Sequence, residues 1–180
     1  MLIERERSCL LLIDLQERLI PAMHEPAPVL RNAAILGTAA KRLGIPIVIS
    51  EQYPKGLGRT DLALAAALAP ATPIAKTDFS CAADEVLRAR LEESGREQAI
   101  LVGIEAHVCV LQTALGLPRL GLAPFVVADG TTSRTPESRR VALDRMGRDG
   151  VEIVTTEMVL FEWLGRAGTA EFKELSALIR

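Results

Sequence analysis

Histidine is scarce in this chain, which has only His24 and His107 among its 180 residues. Because imidazole is the commonest metal ligand in proteins, this scarcity limits the metal chemistry that the chain can perform. We therefore expect no metal and no other cofactor in the functional site.

Aromatic residues and excess positive charge are also lacking. One Trp, one Tyr and four Phe leave little surface for stacking a large planar ligand, which favours a small ligand. The net charge is -2 and the pI is about 5.8. A chain with this balance has no basic excess to attract phosphate backbones or anionic lipids, so we expect neither nucleic acid nor membrane as a partner.

The three cysteines, Cys9, Cys81 and Cys109, are too widely spaced to form a disulfide framework or a C-x-x-C pair. This usage fits a reducing compartment. No apolar run reaches the length of a membrane span, and residues 1–8 lack the pattern of a signal peptide. A cytoplasmic protein is expected.

Short apolar runs alternate with segments of helical periodicity along the whole chain, which predicts a single domain over residues 1–180. The runs are continuous, as is typical of parallel strands covered on both faces. We predict strands at 9–13, 45–49, 73–75, 99–102, 125–128 and 151–154. We predict helices at 28–43, 61–69, 83–93, 108–117 and 136–146, and a last helix from 169, with 51–60 as a loop. The expected fold is a doubly wound three-layer α/β sandwich with a mostly parallel six-stranded sheet.

Three chemically active side chains, Asp14, Lys76 and Cys109, fall at or just after predicted strand ends. Ligands of open parallel sheets bind beyond the carboxyl ends of the strands, so these groups are expected to converge. Each also has a structural interpretation, in which Asp14 is a cap, Lys76 a solvated strand end and Cys109 a small buried hydrophobe. Together they indicate a thiol nucleophile, a base that takes its proton and a cation that holds both.

Cys109 follows Gly103 and a short loop at the start of a predicted helix, the layout of a nucleophile elbow. Backbone N–H groups and the helix dipole stabilise a thiolate at such a position. His107 is an alternative base for Cys109, although side chains two residues apart on a helix point in different directions.

Three segments taken together resemble the isochorismatase-like cysteine hydrolases: DLQ (14–16), KTDFS (76–80) and GIEAHVCV (103–110). The segments EQYPKGLGRT, VVADGTTSR and TTEMVLFEWLG resemble a subgroup, the isochorismatase domain-containing proteins, so the resemblance covers nearly the whole chain. It implies that Cys109 attacks an acyl carbon to give a thioester. It further implies that Asp14 is the general base, later the acid, and that Lys76 orients and polarises the pair.

The resemblance also assigns a role to the backbone of the elbow. It implies a cis peptide bond between Ile104 and Glu105, and an oxyanion hole formed by the N–H groups of Glu105 and Cys109. A homodimer or higher homo-oligomer is implied as well. We expect the C-terminal helix and the 51–60 loop at its interface.

A pocket for a small-molecule substrate is expected beside these groups. Its predicted lining residues are Gln16, Tyr53, Phe79, His107 and Glu51. Glu51 has an alternative role as the partner of Lys55 or Arg59 in its own loop. Cys9 is expected in the core, and Cys81 in a packing position.

The resemblance leaves several functions open. Nicotinamidases of this family bind a metal through Asp and His residues after the second strand, but this chain has no His between His24 and His107. The favoured reaction is hydrolysis of an amide-type C–N bond. The alternatives are isochorismatase-type vinyl ether hydrolysis and a non-catalytic oligomeric scaffold or ligand-binding protein. A thiol-sensing role is disfavoured because no second Cys lies near Cys109 in the sequence.

Overall fold

Six parallel strands form one sheet in the order β3-β2-β1-β4-β5-β6 in the computed structural model, which describes residues 1–179. The strands are β1 (Ser8–Ile13), β2 (Ile47–Gln52), β3 (Pro73–Lys76), β4 (Gln98–Gly103), β5 (Ala123–Thr131) and β6 (Glu152–Val154). The predicted fold is confirmed, and the sheet is entirely rather than mostly parallel. In this order the chain returns from the β3 edge to the centre, so β1 and β4 are neighbours.

Helices cover both faces of the sheet. They are α1 (Pro26–Leu43), α2 (Pro54–Leu57), α3 (Leu62–Leu68), α4 (Glu85–Glu93), α5 (Leu111–Gly116), α6 (Pro136–Arg148), α7 (Thr156–Leu164) and α8 (Ala170–Leu175). The N-caps predicted from sequence are present, since Asp61 accepts a hydrogen bond from the N–H of Leu64 and Thr135 one from Ser138. Such caps satisfy backbone donors that the first helical turn leaves free.

Strand β1 separates two hydrophobic cores. Leu10 and Leu12 pack in the core that contains residues of α1 and α7, whereas Leu11 and Ile13 pack with residues of α4 and α6. Successive side chains of a strand point to opposite faces, so a strand between two cores must be apolar at every position. This explains why the sequence shows a continuous apolar run here.

The fold differs from the sequence prediction in several places. Strand β5 extends to Thr131 rather than ending at residue 128, and α2 lies within the predicted 51–60 loop. Strand β2 continues through Ser50, Glu51 and Gln52, which were predicted to end the strand and begin a loop. These polar residues are buried, and their side chains have hydrogen-bond partners, which removes the usual cost of placing them in a strand. Helix α7 was not predicted. No helix within residues 1–179 has both the length and the apolar character needed to cross a membrane.

Candidate active site

Strand register brings the predicted site segments to one edge of the sheet. Ile13 at the end of β1 is aligned with Ser50 on β2 and with Gly103 on β4, while Gln52 on β2 is aligned with Lys76 on β3. Asp14, the next residue after β1, has a positive φ of 53°, a conformation that Asp adopts more readily than most residues. Asp14 therefore lies just beyond the end of β1, which runs between β2 and β4.

Asp14 and Lys76 form an ion pair that is closed to solvent. The Lys76 Nζ lies 2.8 Å from Asp14 Oδ2, and both side chains are 0% exposed. The ammonium also donates to Gln52 Oε1 at 2.5 Å and to the carbonyl oxygen of Phe79 at 3.2 Å. The second Asp14 oxygen accepts from the Ser50 hydroxyl at 2.7 Å. Buried charges are tolerated only when their hydrogen-bonding capacity is satisfied in this way.

These surroundings keep Lys76 charged. Burial alone lowers the pKa of its ammonium, but the negative charge of Asp14 and its hydrogen bond outweigh that effect and raise the pKa above the usual value. Lys76 is therefore a fixed cation at neutral pH.

Cys109 lies beside this pair, in a π-helical turn (Ala106–Val110) that precedes α5, and is only 5% exposed. Burial raises the pKa of its thiol, and the charge of Asp14 raises it further. The opposing effect of Lys76 is smaller. The thiolate expected from the helix dipole is thus not the resting form: the residue lies inside the turn, and the nearest negative charge favours the thiol.

Gly103 permits the elbow that carries Cys109. Its φ is 143°, and a Cβ atom at this position would lie 2.1 Å from the backbone oxygen of Ile13. The Ile104–Glu105 peptide bond is cis. Within residues 1–179, the N–H groups of Glu105 and Cys109 donate to no group outside their own turn.

Residues 132–134, which follow β5, are bound to the elbow at three points. The N–H of Ala106 donates to the Thr132 carbonyl at 2.8 Å, and His107 Nδ1 lies 2.9 Å from the Ser133 hydroxyl. The Glu105 carboxylate accepts a hydrogen bond from Nε of Arg134 at 3.0 Å. The His107 ring is thus engaged with Ser133.

Two predicted pocket residues use their side chains to bind neighbouring segments of the chain. The Gln16 side chain donates to the backbone oxygens of Gln52 and Gly58 and accepts from the N–H of Gln52, and it is fully buried. Glu51 accepts from the N–H and the hydroxyl of Thr60. These contacts join the segment after β1, the end of β2 and residues 58–60. They differ from the pocket role predicted for both residues and from the alternative pairing of Glu51 with a loop cation.

Tyr53 and Phe79 are about half exposed, at 54% and 52%, and their backbones contact Lys76. The N–H of Tyr53 donates to the Lys76 backbone oxygen, and the Phe79 backbone oxygen accepts from Nζ. A cleft of about 740 Å³ borders His107 and the outer side of α5, but Asp14, Lys76 and Cys109 are not among its lining residues. The three groups lie beneath the surface.

The remaining cysteines are free thiols. Cys9 is buried in the core, as predicted. Cys81 is also buried, and its N–H donates to the hydroxyl of Thr113, one turn after Cys109. Burial raises the pKa of Cys81 to about 11, with the charge of Asp14 adding to the effect. A second thiol therefore stands near the ion pair, although none was near in sequence. Among residues 1–179, no three His, Cys, Asp or Glu side chains are grouped as a metal site.

Sequence reasoning missed Ser50 and Gln52. The signal was present, because two polar residues spaced by two follow an apolar run and must share one face of the strand. Their function becomes apparent only when the register places that face against Asp14 and Lys76.

The comparisons with known proteins agree on one family. The isochorismatase domain model matches residues 8–158. Isochorismatase domain-containing protein 1 from Salmo salar is 40% identical over 171 residues, which are 93% of this chain and 59% of that protein. The chain thus spans less than two thirds of the length of that relative.

Solved structures share the whole fold. The MAR1 ribonuclease from Caenorhabditis elegans is 37% identical with a TM-score of 0.92, and the match covers 99% of this chain and 92% of that chain. The YcaC gene product from Escherichia coli, described as an octameric hydrolase of unknown specificity, is 25% identical with a TM-score of 0.92. That match covers 99% of this chain and 90% of the other.

Proposed function

This chain belongs to the isochorismatase family, and from that premise we propose that it hydrolyses an amide-type C–N bond of a small molecule through a Cys109 thioester. The observation that carries the proposal is the closed Asp14–Lys76 ion pair, 2.8 Å between Oδ2 and Nζ, beside the Cys109 thiol. A buried charge pair is costly to maintain, and perturbed ionisable groups cluster at functional sites.

The first step transfers a proton from Cys109 to Asp14. Because the thiol pKa is raised, the proton leaves as the sulfur attacks and not beforehand. The sulfur forms a bond to the carbonyl carbon, and the carbonyl π electrons move to the oxygen. Asp14 is a general base in this step. Lys76 remains an ammonium and stabilises the negative charge as it moves from the Asp14 carboxylate to the Cys109 sulfur.

The oxyanion of the tetrahedral intermediate is bound by the N–H groups of Glu105 and Cys109. Both groups have no acceptor outside their own turn in residues 1–179, and one such donor typically contributes about 10²–10³ in rate. The intermediate collapses when the C–N bond breaks and Asp14 returns its proton to the leaving nitrogen. The products of this stage are a Cys109 thioester and an amine or ammonia.

Water completes the cycle. Asp14 takes a proton from the water as its oxygen attacks the thioester carbon, and the C–S bond then breaks. The Cys109 sulfur recovers the proton from Asp14. The net reaction consumes one water and yields a carboxylic acid and the nitrogen-containing product.

The test is a screen of small amides, ureides and carbamates, with mass spectrometry of the intact protein to detect an acyl adduct on Cys109. The C109A variant should show no turnover and no adduct, while C81A, which removes the neighbouring thiol, should retain both. Turnover by C109A at the rate of the parent would refute the thioester mechanism. Because one similar structure is of a ribonuclease, an RNA oligonucleotide belongs in the panel as a competing substrate.

The alternative functions make different predictions in the same screen, to which an enol ether is added. Vinyl ether hydrolysis would leave no thioester on Cys109 and would release product from an enol ether. A non-catalytic ligand-binding protein would bind panel members without turnover. We also propose a homo-oligomer in the cytoplasm, supported by the octameric YcaC relative and by three free thiols; light scattering and cell fractionation test these two points.

A further inference from the structure

We propose that Gln52 is a positioning residue for the Cys109 reaction, because its amide oxygen holds the Lys76 ammonium against Asp14 and in its charged form. The catalytic role of Gln52 rests on the proposed function. The contact itself is a property of the folded chain and can be tested without a substrate.

The orientation of the Gln52 side chain is fixed at both ends. Its Nε2 donates to the Thr77 carbonyl at 2.8 Å, so Oε1 must face the other way, toward Lys76 Nζ at 2.5 Å. The backbone N–H of Gln52 donates to the side chain of Gln16, which in turn donates to the Gln52 carbonyl. A reversed amide would place a donor against an ammonium and an acceptor against a carbonyl, so the amide cannot rotate without losing both bonds.

The Lys76 ammonium has three protons, and three acceptors surround it. They are Asp14 Oδ2, Gln52 Oε1 and the Phe79 carbonyl oxygen. None of these oxygens has a proton to donate, so all three contacts favour the ammonium over the neutral amine. With its protons engaged, Lys76 acts on Cys109 through its charge and not as a proton donor to the substrate.

Gln52 supplies this stabilisation without adding charge. The charged or titratable groups that face Lys76 are Asp14 after β1, Cys81 in the loop after β3 and Cys109 in the turn after β4. An acidic residue at position 52 would partly cancel the electrostatic effect of the Lys76 charge on the Cys109 thiol. A neutral acceptor leaves the full positive charge available to the Asp14–Cys109 proton transfer.

The direct test follows Lys76 by NMR of isotopically labelled lysine side chains as the pH rises, with exposed Lys41, Lys55 and Lys173 as internal references. In the parent protein the Lys76 signal should stay at its ammonium position throughout the folded pH range. Q52M keeps the side-chain length but removes the acceptor. In this variant the pH midpoint of the Lys76 titration should fall by about one unit or more, so that the ammonium loses its proton within the folded pH range. The matched control is Q16M, which alters the same hydrogen-bond network without touching Lys76. An unchanged Lys76 signal in folded Q52M overturns the proposal.

A second measurement separates positioning from simple structural support. At pH 10, Q52M should alkylate Cys109 with iodoacetamide about threefold to tenfold more slowly than the parent, because a partly neutral Lys76 no longer lowers the thiol pKa. A purely structural role would loosen the site and make alkylation faster.

If Q52M does not fold, Q52E is measured in its place, because its carboxylate retains an oxygen that can accept a hydrogen bond from Lys76. Its added negative charge should also slow alkylation, and an equal or faster rate overturns the proposal. Neither readout requires turnover, so a negative result here is distinct from the failure of the C109A test.

Discussion

The Ser50 hydroxyl lies 2.7 Å from Asp14 Oδ1, the carboxylate oxygen that Lys76 does not contact. Each oxygen of Asp14 therefore has its own donor, one neutral and one cationic. The arrangement fixes the plane of the carboxylate at the end of β1. The polar residues Ser50 and Gln52 of β2 thus bind Asp14 and Lys76 and do not pack in the apolar core.

Replacing Ser50 by Ala should destabilise the protein by about 1–3 kcal/mol, because it leaves a buried carboxylate oxygen without its donor. Urea unfolding at pH 7 measures the loss. The control is S138A in the first turn of α6, whose half-buried hydroxyl accepts from the neutral Thr135 hydroxyl and not from a group near a buried charge; here we expect a change within about 0.5 kcal/mol. Equal stability of S50A and the parent would mean that the Ser50 bond contributes nothing to holding Asp14.

Stability should fall as the pH rises from 9 to 11. Burial raises the pKa of Cys9 and of Cys81 from 9.0 to about 11, so in this interval the folded chain binds more protons than the unfolded chain. Stabilisation by the raised pKa values is therefore complete below pH 9 and is lost as the pH rises through the folded-state values. Each of these two thiols should account for about 2 kcal/mol between pH 9 and pH 11. Lys76, whose pKa is also raised, adds a loss in the same direction above 10.5.

Urea unfolding at pH 8, 9, 10 and 11 in the presence of a reductant tests this prediction. The C9A variant removes one of the three thiols whose pKa is raised and should show a shallower decline than the parent. A free energy of unfolding that stays constant from pH 8 to 11 would contradict the assignment.

Replacing Gly103 by Ala should cost about 3 kcal/mol or more and should disturb the elbow. The added methyl would meet the backbone oxygen of Ile13 at 2.1 Å, and the φ of 143° is strained for any side chain, so steric overlap and backbone strain act together. The control is G147A in α6, where the nearest atom outside the helix is 3.7 Å away. That variant should be neutral or more stable by up to about 1 kcal/mol, because Ala favours helix over Gly. Thermal unfolding of the two variants side by side decides the point.

The sheet could be predicted from the sequence because its central strands are buried on both faces. Continuous apolar runs at β1 and β4 have no other simple explanation in a chain with this alternation of elements. The same reasoning located Asp14 and Lys76 at strand ends, where the structure joins them in one ion pair.

Other features depend on contacts that a local pattern does not contain. Helix α7 buries Val159, Leu160 and Trp163 against α1 and the sheet. Its exposed face carries Met158 and Phe161, so the sequence lacks the polar face that marks a surface helix. The raised pKa of the Cys109 thiol arises from burial and from the charge of Asp14, neither of which a local pattern shows. The acceptors of Lys76 come from β1, β2 and the loop after β3, and only the register of the sheet determines that they meet.

The strand order gives the site one more property. Asp14 and Lys76 are 62 residues apart, and Cys109 reaches them only after β4 has joined the free edge of β1. A species in which only β1, β2 and β3 had assembled would expose the carboxylate and the ammonium to water and would hold no thiol beside them. Turnover, or the slow alkylation of a shielded Cys109, would therefore report the population of fully folded molecules, with no contribution from partly folded forms.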